Sequence, residues 1–263
     1  MTRRRIDVTN IRAMSRRSRG RVTNLPTESE RFRRWLEQGG GEDREAIPAA
    51  TVILLRDTDA GLETLMLRRN SKLAFGGMWV FPGGRVDPGD HATGEAVDPH
   101  DFDAARRAAV REAQEESGLG VDLESLVALS HWTPPPQTPK RFATWFFVAP
   151  APSGAVTIDD GEIHEHQWIA PTDAIARRDG GEIELAPPTW VTLHTLARAA
   201  TVAEALEQAA AADPLRFVTR IAFLDDRMVA MWTGDAGYEN GDPGLPGARH
   251  RLVMAKDAWS YET

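Results

Sequence analysis

The stretch Arg111-Glu112-Ala113-Gln114-Glu115-Glu116-Ser117-Gly118-Leu119 decides how the chain is read. The alanine-rich run before it predicts a helix, and on a helix Glu112, Glu115 and Glu116 stand at i, i+3 and i+4 on one face. Like charges at those spacings oppose an isolated helix by on the order of a few tenths of a kcal/mol per pair. Glu115 and Glu116 also precede Gly118, an αL stop, so they meet the negative end of the helix dipole. A turn selected for helix stability alone would carry Lys or Arg there. Two readings follow: a solvated acidic face, or carboxylates that expect a cation. For the second, a hard divalent ion is the simplest partner, because Mg²⁺ and Mn²⁺ take oxygen ligands.

Composition narrows the classes around this stretch. The sequence has 263 residues, 41% hydrophobic and 27% charged, as in a soluble globular protein able to bury a sizeable core. A net charge of −8 argues against a protein that grips nucleic-acid backbone. It leaves room for an anionic small-molecule substrate, since bound metals supply local positive charge. The absence of cysteine removes disulfides, thiol nucleophiles and thiolate metal sites, and suits a reducing cytoplasm, the expected location. No apolar run is long enough to span a membrane, and the basic N-terminus lacks the apolar core of a signal peptide.

Along the chain, residues 1–44 read as a basic arm with Arg3, Arg4, Arg5, Arg12, Arg16, Arg17, Arg19 and Arg21, followed by a short helix carrying Phe32, Trp35 and Leu36. The domain proper is expected over 45–232. Ala49 to Leu55, Thr64 to Arg69 and Trp79-Val80-Phe81 read as strands, the last running into Pro82-Gly83-Gly84, whose glycines allow close backbone approach to a ligand or ion. The helix opens at Asp101 or Asp103 and presents Ala105, Ala109 and Ala113 as a smooth packing face. Leu123 to Leu129, Ala143 to Ala149 and His166 to Ile169 read as further strands, with a Pro134-Pro135-Pro136 loop between the first two. A short helix from Pro171 and a helical segment over 187–212 follow, the latter with a Trp190, Leu193, Leu196 stripe and a Thr201/Glu204 capping box. Phe217 to Leu224 and Met228 to Trp232 suggest a hairpin, and 233–263 read as an irregular tail.

Gly84, five residues, Asp90, and then Arg111 to Leu119 resemble the Nudix box, G-x5-E-x7-R-E-U-x-E-E-x-G-U with U bulky or apolar. The second half matches at every fixed position. In the first half Asp90 stands where the family has Glu, and twenty residues separate it from Arg111 where the family has seven. Asp103 keeps the seven-residue spacing and competes for the place. The interrupted box, the Trp79 to Gly84 lead-in, the Trp132 to Phe142 stretch and Pro187-Pro188 are similar to the branch containing the peroxisomal coenzyme A diphosphatase of mammals.

The resemblance implies an α/β fold, an α/β/α sandwich with a mixed central sheet and here a C-terminal helical extension. It also implies metal-dependent hydrolysis of a nucleoside diphosphate linked to another moiety, coenzyme A-like or nucleotide-sugar-like, by metal-activated water. Carried over, Glu112, Glu115 and Glu116 are metal ligands for Mg²⁺ or Mn²⁺, the Gly83 carbonyl lies close to an ion, and Arg111 orients the acids. The residues fit such chemistry independently: a diphosphate repels an incoming water, and divalent ions on three clustered carboxylates relieve that repulsion. Arg69, Arg85 and Arg141 are candidate phosphate contacts, and Glu162 or Glu165 a further ligand or base. Arg68, Arg69, Ser71 and Gly77 approximate the coenzyme A signature, with Asn70 separating arginine from serine. The alternative from another class is a non-catalytic nucleotide sensor on the same fold; retention of all three acids argues against it. The region after about 187 reads either as a helical cap over the pocket or as a dimer contact, so a homodimer is left open.

Overall fold

The computed structural model describes residues 45–70, 77–92, 101–138, 140–158, 161–225, 227–255 and 258–263. The basic arm and short helix expected within 1–44 lie outside them, as does Ser71.

The continuous apolar run Val52-Ile53-Leu54-Leu55 is buried on both faces, which places its strand, β1 (Ile47–Thr58), at the centre of a sheet. Seven further strands join it: β2 (Gly61–Arg69), β3 (Trp79–Val80), β4 (Gly83–Arg85), β5 (Val127–Thr133), β6 (Phe142–Pro150), β7 (Ile163–Ile169) and β8 (Leu215–Val218). The order is β3-β2-β1-β6-β5-β8, with β4 also on β1 and β7 also on β2. The sheet is mixed. β1 and β6 are parallel, as are β5 and β8, and the remaining pairs are antiparallel.

Alternation along the strands sorts the core into two layers. Val52, Leu54, Leu65, Leu67 and Phe147 pack under helix α1 (Phe102–Ser117). Ile53, Leu55, Met66, Phe146 and Val148 face the other way, towards α2 (Pro171–Asp179), α3 (Pro187–Leu196) and α4 (Val202–Ala210). The expected α/β/α sandwich with a helical extension is thus present. Trp132 lies inside the second layer, stacked on Phe217 at 3.8 Å with its indole N–H donated to Ser130 Oγ at 2.9 Å, so it is a core ring and not a free stacking surface.

Three local expectations need correction. Leu123–Ser125 is a 3₁₀ turn capped by Asp122, so β5 starts only at Val127. Phe217 to Leu224 is not one arm of a hairpin: it breaks at Thr219, so that β8 extends the main sheet and β9 (Arg220–Leu224) pairs with β10 (Arg227–Met231). The tail is not irregular throughout. β11 (Arg251–Met254) and β12 (Trp259–Glu262) complete a four-stranded antiparallel sheet with β10 and β9, and Met228, Ala230, Trp232, Leu252 and Met254 join the same core layer as α2 to α4. The Gly/Pro-rich connection is pinned by a buried ion pair: Arg251 Nε and Nη2 each donate to Asp235 at 2.6 Å, and Nη1 donates to the Pro243 carbonyl at 2.7 Å. Burial pushes the Asp235 carboxyl up, but Arg251 and the amides of His250 and Gly237 outweigh it and hold it at about 2.

Candidate active site

α1 begins at Asp101, whose carboxylate accepts the amides of Asp103 (2.9 Å) and Ala104 (3.0 Å). Ala104, Ala105, Ala108, Ala109 and Ala113 form its buried face, and their small side chains let the helix lie close on β1. It ends where Gly118 takes φ 70°, donating its N–H to the Gln114 carbonyl at 3.0 Å. The helix therefore carries Glu112 and Glu116 on the side turned towards the sheet.

The Phe81-Pro82-Gly83-Gly84 segment meets them from below. Thr51 Oγ1 donates to the Pro82 carbonyl at 2.7 Å, Val52 N–H to the same oxygen at 2.9 Å, and Gly83 and Gly84 pair with Thr51 and Ala50. Gly83 N–H donates to Glu116 Oε2 at 2.9 Å. Both glycines are required sterically. A Cβ at Gly84 would overlap the Glu112 carboxylate, and one at Gly83 would overlap Thr51 and the Ala50 carbonyl.

Arg111 ties the acids together. Its Nε and Nη2 make a two-pronged contact with Asp90 (3.0 and 2.9 Å), Nη1 reaches Glu112 (2.9 Å) and Glu115 (3.0 Å), and Nη2 also donates to the Arg85 carbonyl at 2.9 Å. Asp90 is only 4% exposed and caps its own 3₁₀ turn, Pro88–Asp90, by accepting the Asp87 amide at 2.8 Å. Asp103 is 66% exposed and pairs with Arg106 at 3.5 Å. Asp90 thus holds the arginine, despite its distance in sequence.

The electrostatics single out two carboxylates. Desolvation pushes Glu116 up to about 7, against the pull of the Gly83 amide and of Arg69. Desolvation also raises Glu112, although Arg111 opposes it. Arg111 itself is held above its ordinary range, first by the Asp90 hydrogen bonds.

The NUDIX domain family profile matches residues 46–189 of this sequence, more than half of the chain. The chain belongs to the Nudix family. A curated relative, Putative nudix hydrolase 7 of Caenorhabditis elegans, is 29% identical over 187 residues, covering 57% of this chain and 60% of that protein's own length. The crystal structure of a NUDIX hydrolase from Alicyclobacillus acidocaldarius matches with TM-score 0.56 at 23% identity, covering 65% of this chain and 98% of that one, and supports the fold. No helix among the described residues is long and apolar enough to cross a membrane.

The remaining candidate residues of this Nudix chain separate. Glu115, 59% exposed, reaches outward to Arg111. Arg69 ion-pairs with Glu162 at 2.9 Å, and both charges act on Glu116. Glu165 instead pairs with Arg68 at 3.3 Å; Arg68 alternates with Leu67, so this pair stands on the face away from α1. The Arg85 side chain is exposed, 4.0 Å from Asp87, whereas Arg141 donates to the Pro134 carbonyl at 3.2 and 3.3 Å. Lys140 lies over the Phe142 ring. Sequence reasoning missed Thr51, which anchors the Pro82 carbonyl; a lone hydroxyl inside an otherwise apolar strand was the available signal.

Among the described residues, no three acidic or histidine side chains converge as a ready cage for an ion. Arg111 draws Glu112 and Glu115 to itself, and the Gly83 amide draws Glu116. The donor set still fits a hard divalent cation. It is all oxygen, it spans one helical turn, and two of its members are desolvated carboxylates that a nearby positive charge would return to the ionised form.

Proposed function

We propose that this chain hydrolyses a diphosphate that links a nucleoside to another moiety, coenzyme A-like or nucleotide-sugar-like, with Mg²⁺ or Mn²⁺ held by Glu112, Glu115 and Glu116 and approached by the Gly83 carbonyl. The observation that carries the reading is the burial of Glu116 against Gly83, with its carboxyl raised to about 7 in a turn already rich in acids. Such a placement costs stability unless a cation joins it.

Bound ions supply neutralisation of the phosphate charge, a lowered pKa for a water and a stabilised leaving phosphate. The chain's own residues do the rest. Arg111 locks Glu112 and Glu115 in place from the Asp90 anchor, so that neither acid has to be ordered when substrate arrives. Arg85, exposed beside the site with its carbonyl on Arg111, is the arginine most available to a phosphate. Glu162, on the α1 side of the sheet, is the proton acceptor favoured over Glu165, which the strand alternation turns away.

The test is turnover of a diphosphate panel, scored by mass spectrometry of the phosphorylated products, with Mg²⁺, with Mn²⁺ and with excess chelator. Glu115→Gln and Glu116→Gln should lose activity with the fold intact. Full activity of both variants, or of the chelated enzyme, defeats the mechanism. Tight metal-independent ligand binding without turnover would instead favour the sensor reading.

A further inference from the structure

The ladder between β2 and β7 breaks register at one place. From Thr64 opposite Ile169 to Arg68 opposite Glu165 the pairing is continuous; then Arg69 faces Ile163, leaving His164 as the extra residue of a bulge. A bulge bends its strand and re-aims the side chains beyond it. Here the result is that Glu162 comes to Arg69, with Nη2 and Oε2 2.9 Å apart. The junction is fixed from both sides: the Asn70 amide donates to the Glu162 carbonyl at 2.8 Å, and Asn70 Nδ2 to the Gly161 carbonyl at 3.3 Å.

Arg69 shares its face with Leu65 and Leu67, the residues that pack under α1, and so stands on the side of the sheet that Glu116 approaches. Its Nε is buried and has no hydrogen-bond partner among the described residues. An unmatched buried N–H carries a desolvation cost, and the exposed edge of the guanidinium is occupied by Glu162. Two unfavourable features, a broken ladder and an orphaned donor, therefore converge on one ion pair whose other end is a carboxylate acting on Glu116. Costs concentrated at one point are expected where placement matters more than stability.

We propose that Arg69 is a positioning residue: it does not grip the substrate but holds the Glu162 carboxylate on the face of the sheet that carries α1 and its acids. The inference rests on the diphosphate hydrolase reading above. It replaces the earlier expectation of Arg69 as a phosphate contact with a role exerted through Glu162.

The experiment is a double-mutant cycle in the full chain with Mg²⁺, using Arg69→Ala, Glu162→Gln and the pair, with kcat and KM measured separately on whichever diphosphate of the panel the wild type hydrolyses. Arg69→Ala should lower kcat by about 10- to 100-fold through misplacement, with KM within about threefold. Glu162→Gln should lower kcat by about 10²- to 10⁴-fold, and adding Arg69→Ala should lower it no further. Arg69→Lys should recover most of the loss, since an ammonium still reaches one carboxylate oxygen. If Arg69→Ala does not fold, Arg69→Lys replaces it in the cycle, and its smaller kcat effect must vanish in the Glu162→Gln background. A second readout is the crystal structure of the metal-free Arg69 variant, in which the Glu162 carboxylate should have left the position that the ion pair gives it. Losses that multiply, or a KM rise that dominates, overturn the proposal by making Arg69 a substrate contact. A wild type that hydrolyses no diphosphate is a different result, and removes the hydrolase reading itself.

Discussion

Replacing Glu116 with Gln should make the metal-free protein more stable, and only above mildly acidic pH. Glu116 is 5% exposed, and its carboxyl is displaced from the ordinary 4.5 to about 7 by desolvation. At about 1.4 kcal/mol per tenfold change, that displacement corresponds to roughly 3 kcal/mol. The sign follows from proton binding. Between pH 4.5 and 7 the folded chain holds this proton while the unfolded chain has released it, so the contribution is full below pH 4.5 and is lost as pH rises through 7. Gln is isosteric, keeps an acceptor for the Gly83 amide and has no charge to bury. The variant should therefore match the wild type near pH 4.5 and exceed it by up to roughly 3 kcal/mol at pH 8, a rise in Tm on the order of 6–12 °C for a chain of this size. Thermal melts in chelator at pH 4.5, 6 and 8 read this directly. Saturating Mn²⁺ at pH 8 should then stabilise the wild type, by about 2.7 kcal/mol at a hundredfold excess over Kd, and the variant by much less. A gap that does not change with pH, or an equal response of both proteins to Mn²⁺, refutes the reasoning.

Gly84→Ala places a Cβ on the Glu112 carboxylate, so activity should fall by about 10²-fold with little loss of stability, as read by kcat and by melting. Gly83→Ala meets the Ala50 carbonyl and the Thr51 backbone instead, and the same melts should show a large loss of stability. Asp90→Ala strips the buried anchor from Arg111, which keeps Glu112 and Glu115, and should cost about 1.5–3 kcal/mol in urea unfolding, whereas Asp103→Ala should cost no more than about 1 kcal/mol. Arg251→Ala leaves Asp235 buried without its partner and should cost about 3–5 kcal/mol. With Asp235 held at about 2, the ion pair's contribution is present above pH 3.8 and disappears as pH falls through 2, so the Arg251→Ala deficit should shrink only in that acidic window.

The helix half of the box was legible because its signals are local. Asp101 at the N-cap, the alanine face, the acids at helical spacing and Gly118 at the stop all act within a few residues, and the helix forms as they specify. The loop half was not, because Arg111 recognises a carboxylate by geometry and not by count. The 3₁₀ turn at Pro88–Asp90 delivers Asp90 to Arg111 whatever the chain does between them, so a spacing rule offered Asp103 as an equal rival. Glu162 and Glu165 posed a similar ambiguity: strand alternation and a one-residue bulge decide between them, and neither is visible without the partner strand. The second sheet escaped for another reason. β11 and β12 are four residues each, too short for a period to register, and the Gly/Pro-rich stretch before them is ordered by Asp235 and Arg251, sixteen residues apart.

The charge balance of the site ties substrate to cation. Six carboxylates, Asp87, Asp90, Glu112, Glu115, Glu116 and Glu162, share three guanidiniums, Arg85, Arg111 and Arg69. Fully ionised, that set carries three uncompensated negative charges, and these add to the desolvation that already pushes Glu112 and Glu116 towards protonation. A diphosphate linkage would bring two further charges of the same sign into a partly desolvated place. At an effective dielectric near 20, each like-charge contact at 4 Å opposes binding by about 4 kcal/mol, far more than the exposed Arg85 can offset alone. Binding of a diphosphate and of divalent cation should therefore be one thermodynamic event. A non-hydrolysable methylene diphosphonate analogue, titrated by calorimetry at pH 8, should give no measurable heat with chelated protein and a saturable isotherm once Mg²⁺ is present. Raising Mg²⁺ should lower its Kd until the cation sites fill. Equal affinity with and without Mg²⁺ would mean that the acids of α1 do not face the phosphates, and the assignment of Glu112, Glu115 and Glu116 would have to be abandoned.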